Sequence, residues 1–156
     1  MPNGMNGYDV AKYLQKASLP LKIVVFSTFD DLNAIKAMVR FGAKGFVCKS
    51  DPIKLLKHAI DQVLEGKFYF TKNMVFSKDE ITAMLQSPIT WAETITNRDL
   101  KMAQLMQNGL AFKEVANCLD ITTSAASKKR KKLFTKTETN STIGLIGFLR
   151  KVGLMP

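Results

Sequence analysis

The sequence predicts an α/β region followed by an all-α region in a chain of 156 residues. Short β-branched runs alternate with amphipathic segments up to residue 66, whereas residue 93 onward has helical spacing throughout. Basic side chains are concentrated in the same C-terminal part, where residues 95–156 hold 11 Lys and Arg against 4 Asp and Glu. We therefore expect two domains, residues 1–66 and 93–156, joined by a linker at 67–92.

The first region alternates helix-like and strand-like segments. Tyr8–Lys16 and Asp30–Phe41 have helical apolar spacing. Leu21–Phe26 and Gly45–Cys48 are short, apolar and typical of buried strands. Right-handed crossovers between them imply a parallel sheet, but two strands are too few for one, so part of the sheet is missing from this pattern. A last helix from Pro52 to Gly66 is expected to bury Ile53, Leu56, Ile60 and Val63 on one side.

The linker and the start of the second region are marked by local helix signals. Ser77 and Glu80 have capping-box spacing for a short helix, and Ser87-Pro88 ends it. Thr96 and Asp99 have similar spacing at the start of a helix that runs to Gly109. A second short helix, Lys113–Leu119, and a tight turn follow, and Thr122 is the expected N-cap of the next helix.

A run of five basic residues, Lys128–Lys132, lies in this next helix, residues 123–135. On a helix, Ala126 and Leu133 fall on one inward stripe, and a polar face about two turns long lies opposite, a length that the DNA major groove accepts. Lys129 falls near the inward stripe, so we expect its stem to pack and its ammonium to reach solvent. Short helix, turn and this helix indicate a helix-turn-helix. The candidate DNA-binding residues are Thr122, Ser124, Ser127, Lys128 and Lys131, with Arg130 and Lys132 at the sides where phosphates would run.

Other functions are less well supported by the sequence. A basic run alone is often solvated or a localisation signal, and no aromatic residues are interleaved with this one to stack RNA bases. There is no glycine-rich phosphate loop, nucleophile motif or cluster of metal ligands, so we expect neither an enzyme nor a bound cofactor. The N-terminus has no signal-peptide pattern, and the apolar run 143–149 is too short to span a membrane. Cys48 and Cys118 are interpreted as buried reduced thiols of a cytoplasmic protein.

Residues 95–136 resemble the LuxR-type helix-turn-helix domain of NarL/FixJ-type response regulators. The landmarks are Thr96-x-Arg98-Asp99, Gly109-Leu110 and Lys113-Glu114-Val115-Ala116, in a register without gaps. The resemblance implies a four-helix domain whose groove-facing positions are Ser127, Lys128 and Lys131. It also implies that the last helix, Ser141–Met155, contributes to a dimer, because this helix is apolar on more than one side. Departures from the family pattern occur at Ala125-Ala126, at Lys129, where a histidine is usual, and at Thr137, where a leucine is usual.

Residues 1–66 resemble the second half of a flavodoxin-like receiver domain. Met1-Pro2-Asn3-Gly4-Met5 is similar to the loop after the family's phosphoacceptor aspartate, with one residue more. The resemblance implies that Ser27, Phe46 and Lys49 are the switch hydroxyl, the switch aromatic and the phosphate-binding lysine. The aspartate itself, expected just before Met1, and the acidic pair that holds Mg²⁺ are absent, so we expect Mg²⁺ only if the rest of a receiver were present. Asp30-Asp31 follows the wrong strand to replace that pair and is interpreted as a helix start.

The sequence thus predicts a DNA-binding transcription regulator, the output portion of a two-component phosphorelay response regulator. Its expected partners are double-stranded DNA, a second copy bound through the last helix or the receiver helices, and a histidine kinase for an intact protein. We expect that the native protein is longer than this chain. The alternative is a truncated regulator that cannot be phosphorylated and acts as an inhibitory interaction module through dimerisation.

Overall fold

The computed structural model describes residues 6–71 and 74–156 and divides the chain into two compact units, Met1–Ile89 and Thr90–Pro156. The loop motif predicted at residues 1–5 lies outside the described residues. The first unit is a small parallel sheet with helices, and the second is helical, as the coarse fold class predicted.

The first unit contains three strands in the order β1-β2-β3, all parallel. The third strand was not predicted, and it pairs with β2 through Gly45 and Phe46. Within the described residues, β1 has no partner on its outer edge. The elements are α1 (Gly7–Lys16), β1 (Ile23–Ser27), α2 (Leu32–Arg40), β2 (Ala43–Cys48), α3 (Lys54–Leu64), β3 (Tyr69–Phe70) and α4 (Lys78–Gln86).

Local capping explains where the helices of the first unit begin. The side chain of Asn6 accepts hydrogen bonds from the Tyr8 and Asp9 amides, and Asp9 closes a capping box. Asp31 caps α2 by accepting from the Asn33 amide, so the pair interpreted as a helix start has that role. Gly42 follows α2 with φ +95°, a left-handed conformation that glycine adopts without strain.

The packing face of α3 agrees with the prediction at Val63, and Leu56 is half-buried, but the two isoleucines differ from it. Ala59 and Val63 are buried, whereas Ile53 and Ile60 are 69% and 43% exposed. The reason lies in β2, where a Cβ on Gly45 would stand 3.1 Å from a Val63 methyl group. Because the helix approaches the strand this closely, its small side chains face the sheet, and the predicted isoleucine stripe is turned toward solvent.

The boundary between the regions also differs from the predicted linker at 67–92. Residues 67–89 belong to the first unit, because β3 extends the sheet and α4 packs on α2 through the buried Met84. The Arg40 guanidinium reinforces this packing by donating to the Leu85 carbonyl at 3.1 Å. The predicted capping box is present, since Ser77 and Glu80 exchange backbone and side-chain hydrogen bonds.

The second unit packs around two apolar clusters. The first joins α6, α8 and α9, and the second joins α6, α7 and α8. A five-residue helix, α5, precedes the four helices that were predicted. The elements are α5 (Thr90–Thr94), α6 (Asn97–Gln107), α7 (Phe112–Cys118), α8 (Thr123–Thr137) and α9 (Thr142–Lys151).

The two cysteines differ in burial. Both cysteines are free thiols, and Cys48 is buried as predicted. The prediction for Cys118 was wrong, because it lies at the exposed end of α7.

Over residues 6–71 and 74–156, no helix combines the length and the apolar character needed to cross a bilayer.

Candidate nucleic-acid interface

The helix-turn-helix is formed by α7, a four-residue turn and α8. The turn is closed by the Ile121 amide, which donates to the Ala116 carbonyl at 3.1 Å, and Asp120 adopts a left-handed φ of 52°. Arg98 of α6 donates to the Leu119 carbonyl, so the turn is also tied to the neighbouring helix. These contacts fix the direction in which α8 leaves the turn.

Packing fixes which side of α8 faces the core. Ala126 is 0% exposed and Leu133 is 1% exposed, in agreement with the predicted inward stripe. Ala126 belongs to the cluster with Met102 and Val115, and Leu133 belongs to the cluster with Leu145. Since the two residues are seven positions apart, the contacts hold about two turns of the helix.

The opposite side of α8 is exposed and carries three lysines. Ser124, Lys128 and Lys131 fall on one stripe at helical spacing, and Lys132 and the half-buried Ser127 flank it. Among the described residues, no hydrogen bond or ion pair engages the three lysine ammonium groups. We call the side chains of Ser124, Ser127, Lys128, Lys131 and Lys132 the basic face.

The other two basic residues of the run have internal partners. The Lys129 ammonium pairs with Asp99 of α6 at 2.5 Å, which corrects the expectation that it reaches solvent. The Arg130 guanidinium lies 4.4 Å from the centroid of the Phe112 ring on α7, a cation–π contact, and the side chain is half-buried. The aromatic ring of the preceding helix thus holds the Arg130 guanidinium, and the phosphate contact predicted for Arg130 stays a prediction.

Thr122 and Thr137 act within the helix that they border. The Thr122 hydroxyl accepts from the Ala125 amide at 3.2 Å, so it caps α8 as predicted. Thr137, where the family usually has a leucine, is 4% exposed. Its hydroxyl is satisfied by the Leu133 carbonyl at 2.9 Å and by Thr139, so this substitution leaves no buried polar group unpaired.

Asp99 is the electrostatic centre of the second unit and was predicted only as a capping residue. Its side chain is 4% exposed and accepts from Lys129, Lys136 and Thr96. Burial alone would raise the pKa of this carboxyl, but hydrogen bonds from Lys129 and Thr96, with the lysine charge, lower it below its ordinary value. The capping-box spacing indicated where Asp99 lies in its helix, but no pattern in the sequence indicated its partners on α8.

The last helix, α9, exposes less apolar surface than predicted. Leu145, Ile146 and Leu149 are buried, and Phe148 packs edge-to-face on Trp91 at 5.5 Å between ring centroids. Ile143 alone among the large apolar side chains of this helix is strongly exposed, at 87%. Most of the apolar surface assigned to a partner is therefore used inside the unit.

Two of the three predicted switch residues of the first unit, Ser27 and Lys49, lie at the carboxyl ends of adjacent strands, whereas Phe46 lies within β2. Ser27 ends β1, and its carbonyl accepts from the Lys49 amide just beyond β2 at 2.6 Å. Its hydroxyl accepts from the Phe29 amide at 3.1 Å. The Lys49 ammonium lies 5.7 Å from the centroid of the exposed Phe26 ring, whereas Phe46 is buried. In the described part of the chain, no three His, Cys, Asp or Glu side chains come together as a metal site.

Comparison with known proteins gives the class of this chain. No family model matches it. BvgA of Bordetella pertussis, described as a putative positive transcription regulator of virulence factors, is 25% identical over 96% of this chain and 71% of its own length. The oxygen regulatory protein NreC of Staphylococcus epidermidis is 24% identical over 99% of this chain and 74% of its own. A structure of the Salmonella typhimurium RcsB response regulator aligns at 20% identity over 96% of this chain and 71% of that one, with a TM-score of 0.46.

These relatives confirm the resemblance seen in the sequence. Over nearly its whole length, the chain is similar to response regulators of the NarL/FixJ type.

Proposed function

We propose that this chain binds double-stranded DNA as the output portion of a cytoplasmic response regulator, with α8 as its recognition helix. The observation that carries the proposal is the basic face. Packing at Ala126 and Leu133 directs three lysines, which pair with no residue that the structure describes, outward from the second helix of a helix-turn-helix. Such a helix enters the major groove with polar side chains on base edges and cations on phosphates.

The charge balance of the chain supports a polyanionic partner. The formal net charge is +10, and most of the excess lies in residues 95–156. Each lysine that neutralises a phosphate releases counterions, so affinity falls with salt at a slope of about −0.9 per contact in a logarithmic plot. The slope therefore counts the lysines that touch the DNA backbone and is a more specific readout than affinity alone.

The test is a double variant on the basic face, Lys128→Ala with Lys131→Ala. We expect weaker binding of the full chain to a duplex in fluorescence anisotropy and a salt slope lower in magnitude by about 2, one unit per lost phosphate contact. The matched control is Lys54→Ala with Lys78→Ala, which removes two exposed lysines from the first unit. An unchanged slope in the double variant, or an equal loss in the control, would refute the assigned face.

The first unit is proposed to regulate this binding. A backbone hydrogen bond joins Ser27 and Lys49 at the carboxyl ends of β1 and β2, and a hydroxyl and an ammonium are groups that bind a phosphoryl group. The same proposal includes a histidine kinase that supplies the phosphoryl group, and a bound Mg²⁺. It also includes a dimer formed through α9 or through the helices of the first unit. Titration with inorganic phosphate, followed by NMR, should shift the amides of both residues in the wild type and neither in Lys49→Met. Equal shifts in the two proteins would contradict this assignment.

The comparisons do not support the alternative of an inhibitory interaction module. BvgA is named as a transcription regulator, and the basic face gives this chain a surface of its own for DNA.

A further inference from the structure

Lys129 stands in the middle of the basic run but points away from the basic face. Its ammonium lies 2.5 Å from an Asp99 carboxylate oxygen, and the lysine and aspartate side chains are 25% and 4% exposed. A buried carboxylate is strongly stabilised by a cation at this distance, because little water is present to screen the pair. Lys129 is therefore engaged inside the unit and is not available to phosphate.

Asp99 links α8 to the start of α6 at two points. One carboxylate oxygen pairs with Lys129, and the other lies 3.3 Å from the ammonium of Lys136. The second oxygen also accepts from the amide and the hydroxyl of Thr96, both at 2.9 Å. Lys136 donates further to the Thr94 carbonyl at 2.8 Å. The acceptors for the two lysines are the two carboxylate oxygens of Asp99 and the carbonyl oxygen of Thr94, so they lie in the N-terminal turn of α6 and in α5.

This arrangement constrains the rotation of α8 about its own axis. Lys129 and Lys136 are seven residues apart, so they lie on nearly the same side of the helix, about two turns from one another. A change of register by one residue would rotate the helix by about 100° and carry both ammonium groups away from Asp99. The same rotation would move Lys128 and Lys131 out of the exposed stripe.

We propose that Lys129 is a positioning residue for DNA binding, which sets the orientation of the basic face through Asp99 without touching the DNA. The proposal rests on the proposed function, because the partner is double-stranded DNA in both. It divides the basic run by role. Lys128, Lys131 and Lys132 contact the nucleic acid, Lys129 pairs with Asp99, and Arg130 stacks on Phe112.

The test compares two neighbouring lysines that carry the same charge. Lys129→Met and Lys128→Met each remove one positive charge and keep an unbranched apolar stem. Binding of the full chain to a duplex is measured by anisotropy over a range of salt concentrations. Lys128→Met should lower the magnitude of the salt slope by about 0.9, as expected for one lost phosphate contact. Lys129→Met should leave the slope unchanged and reduce affinity by the same factor at every salt concentration.

A conservative variant and a paired variant separate positioning from a general loss of fold. Lys129→Arg keeps a cation opposite Asp99 and should restore wild-type affinity. If Lys129→Met does not fold, Asp99→Asn with Lys129→Met removes both charges of the pair, which leaves no isolated buried carboxylate. This paired variant should also keep the wild-type slope.

The outcomes are distinct. A slope reduced by about 0.9 in Lys129→Met, or in the paired variant, would overturn the inference while leaving DNA binding in place. Failure of the wild-type chain to bind any duplex would overturn the proposed function and the inference together.

Discussion

The two units differ in where they place their large apolar side chains. Among the described residues, those that remain strongly exposed lie in the first unit with the exception of Ile143. Leu19 and Leu21 precede β1 and Phe26 lies within it, whereas Ile53 is the N-cap of α3 and Ile60 lies within that helix. In the second unit, Leu133, Leu145 and similar residues are almost fully buried. The helical unit thus has a core of its own, whereas the sheet unit presents apolar surface that a partner or further chain could cover.

The second unit also contains a buried charged group that is held by several partners. The second unit contains a buried carboxylate, Asp99, whose oxygens are satisfied by two lysines and a threonine. Satisfied polar networks of this kind make a core rigid and specify one arrangement of its helices. Because a recognition helix must present its side chains in one orientation, we interpret the network as part of the DNA-binding apparatus.

The largest effect is expected from removing a core side chain of the second unit. Leu133→Ala should lower the free energy of unfolding by about 2–5 kcal/mol, because it deletes buried methyl groups and leaves a cavity between α6, α8 and α9. Ile60→Ala on α3, a residue that is 43% exposed, should change it by less than about 0.5 kcal/mol. Chemical denaturation of both variants makes the comparison. If both variants lost the same free energy of unfolding, the difference in burial between the two residues would not affect stability.

The next effect concerns the buried carboxylate and depends on pH. Asp99→Asn should cost about 3 kcal/mol at neutral pH, at the low end for a broken buried pair because both lysines can reach water. The pKa of Asp99 is lowered in the folded state, so its contribution is complete above the unfolded-state pKa of about 4. It is lost as the pH falls through the lower folded-state value.

Wild type and Asp99→Asn should therefore differ by a constant amount above about pH 5 and converge on further acidification. Lys129 and Lys136 are the charged groups that face Asp99. Denaturation curves at a series of pH values give the result. A gap that is independent of pH down to strong acid would contradict the role assigned to the ionised carboxylate.

A smaller effect is expected at the N-cap of the recognition helix. Thr122→Ala should destabilise the second unit by about 1 kcal/mol, because the Ala125 amide loses its hydrogen-bond acceptor. Thr122→Ser keeps the hydroxyl and is the matched control. Thermal unfolding measures both. A serine variant as unstable as the alanine variant would mean that the methyl group, and not the cap, carries the effect.

The last prediction concerns the open edge of the sheet and is measured by association, not by stability. Phe26→Lys replaces a ring that is 38% exposed and lies 5.7 Å from the Lys49 ammonium. It should reduce self-association in sedimentation velocity, because a charge beside an unpaired strand opposes edge-to-edge pairing. Val75→Lys places the same charge at an 89% exposed residue outside the sheet and should have no such effect. Equal behaviour of the two variants would refute a role for the edge.

Local signals predicted the second unit better than the first. Thr96 and Thr122 marked the starts of α6 and α8 because an N-cap depends on residues three positions away. The strand Tyr69–Phe70 was missed because it has only two residues and exists through pairing with β2. On α3, Val63 was predicted correctly and the two isoleucines were not, because the sequence allowed two faces and Gly45 on another element decides between them.

The candidate site was predicted in outline for similar reasons. Helical spacing was sufficient to place Lys128 and Lys131 opposite Ala126 and Leu133. It could not show that Lys129 pairs with Asp99, or that Arg130 stacks on Phe112, because these contacts join separate helices.

The central claim is that the exposed side of α8 is the surface that contacts DNA. The most direct measurement is an NMR titration of the full chain with a short random-sequence duplex, following backbone amides and lysine side chains. The largest shifts are predicted at Ser124, Lys128 and Lys131, with no comparable change at Lys54 or Lys57 on α3. Shifts concentrated in the first unit, or absent along α8 while the duplex is bound, would contradict the account.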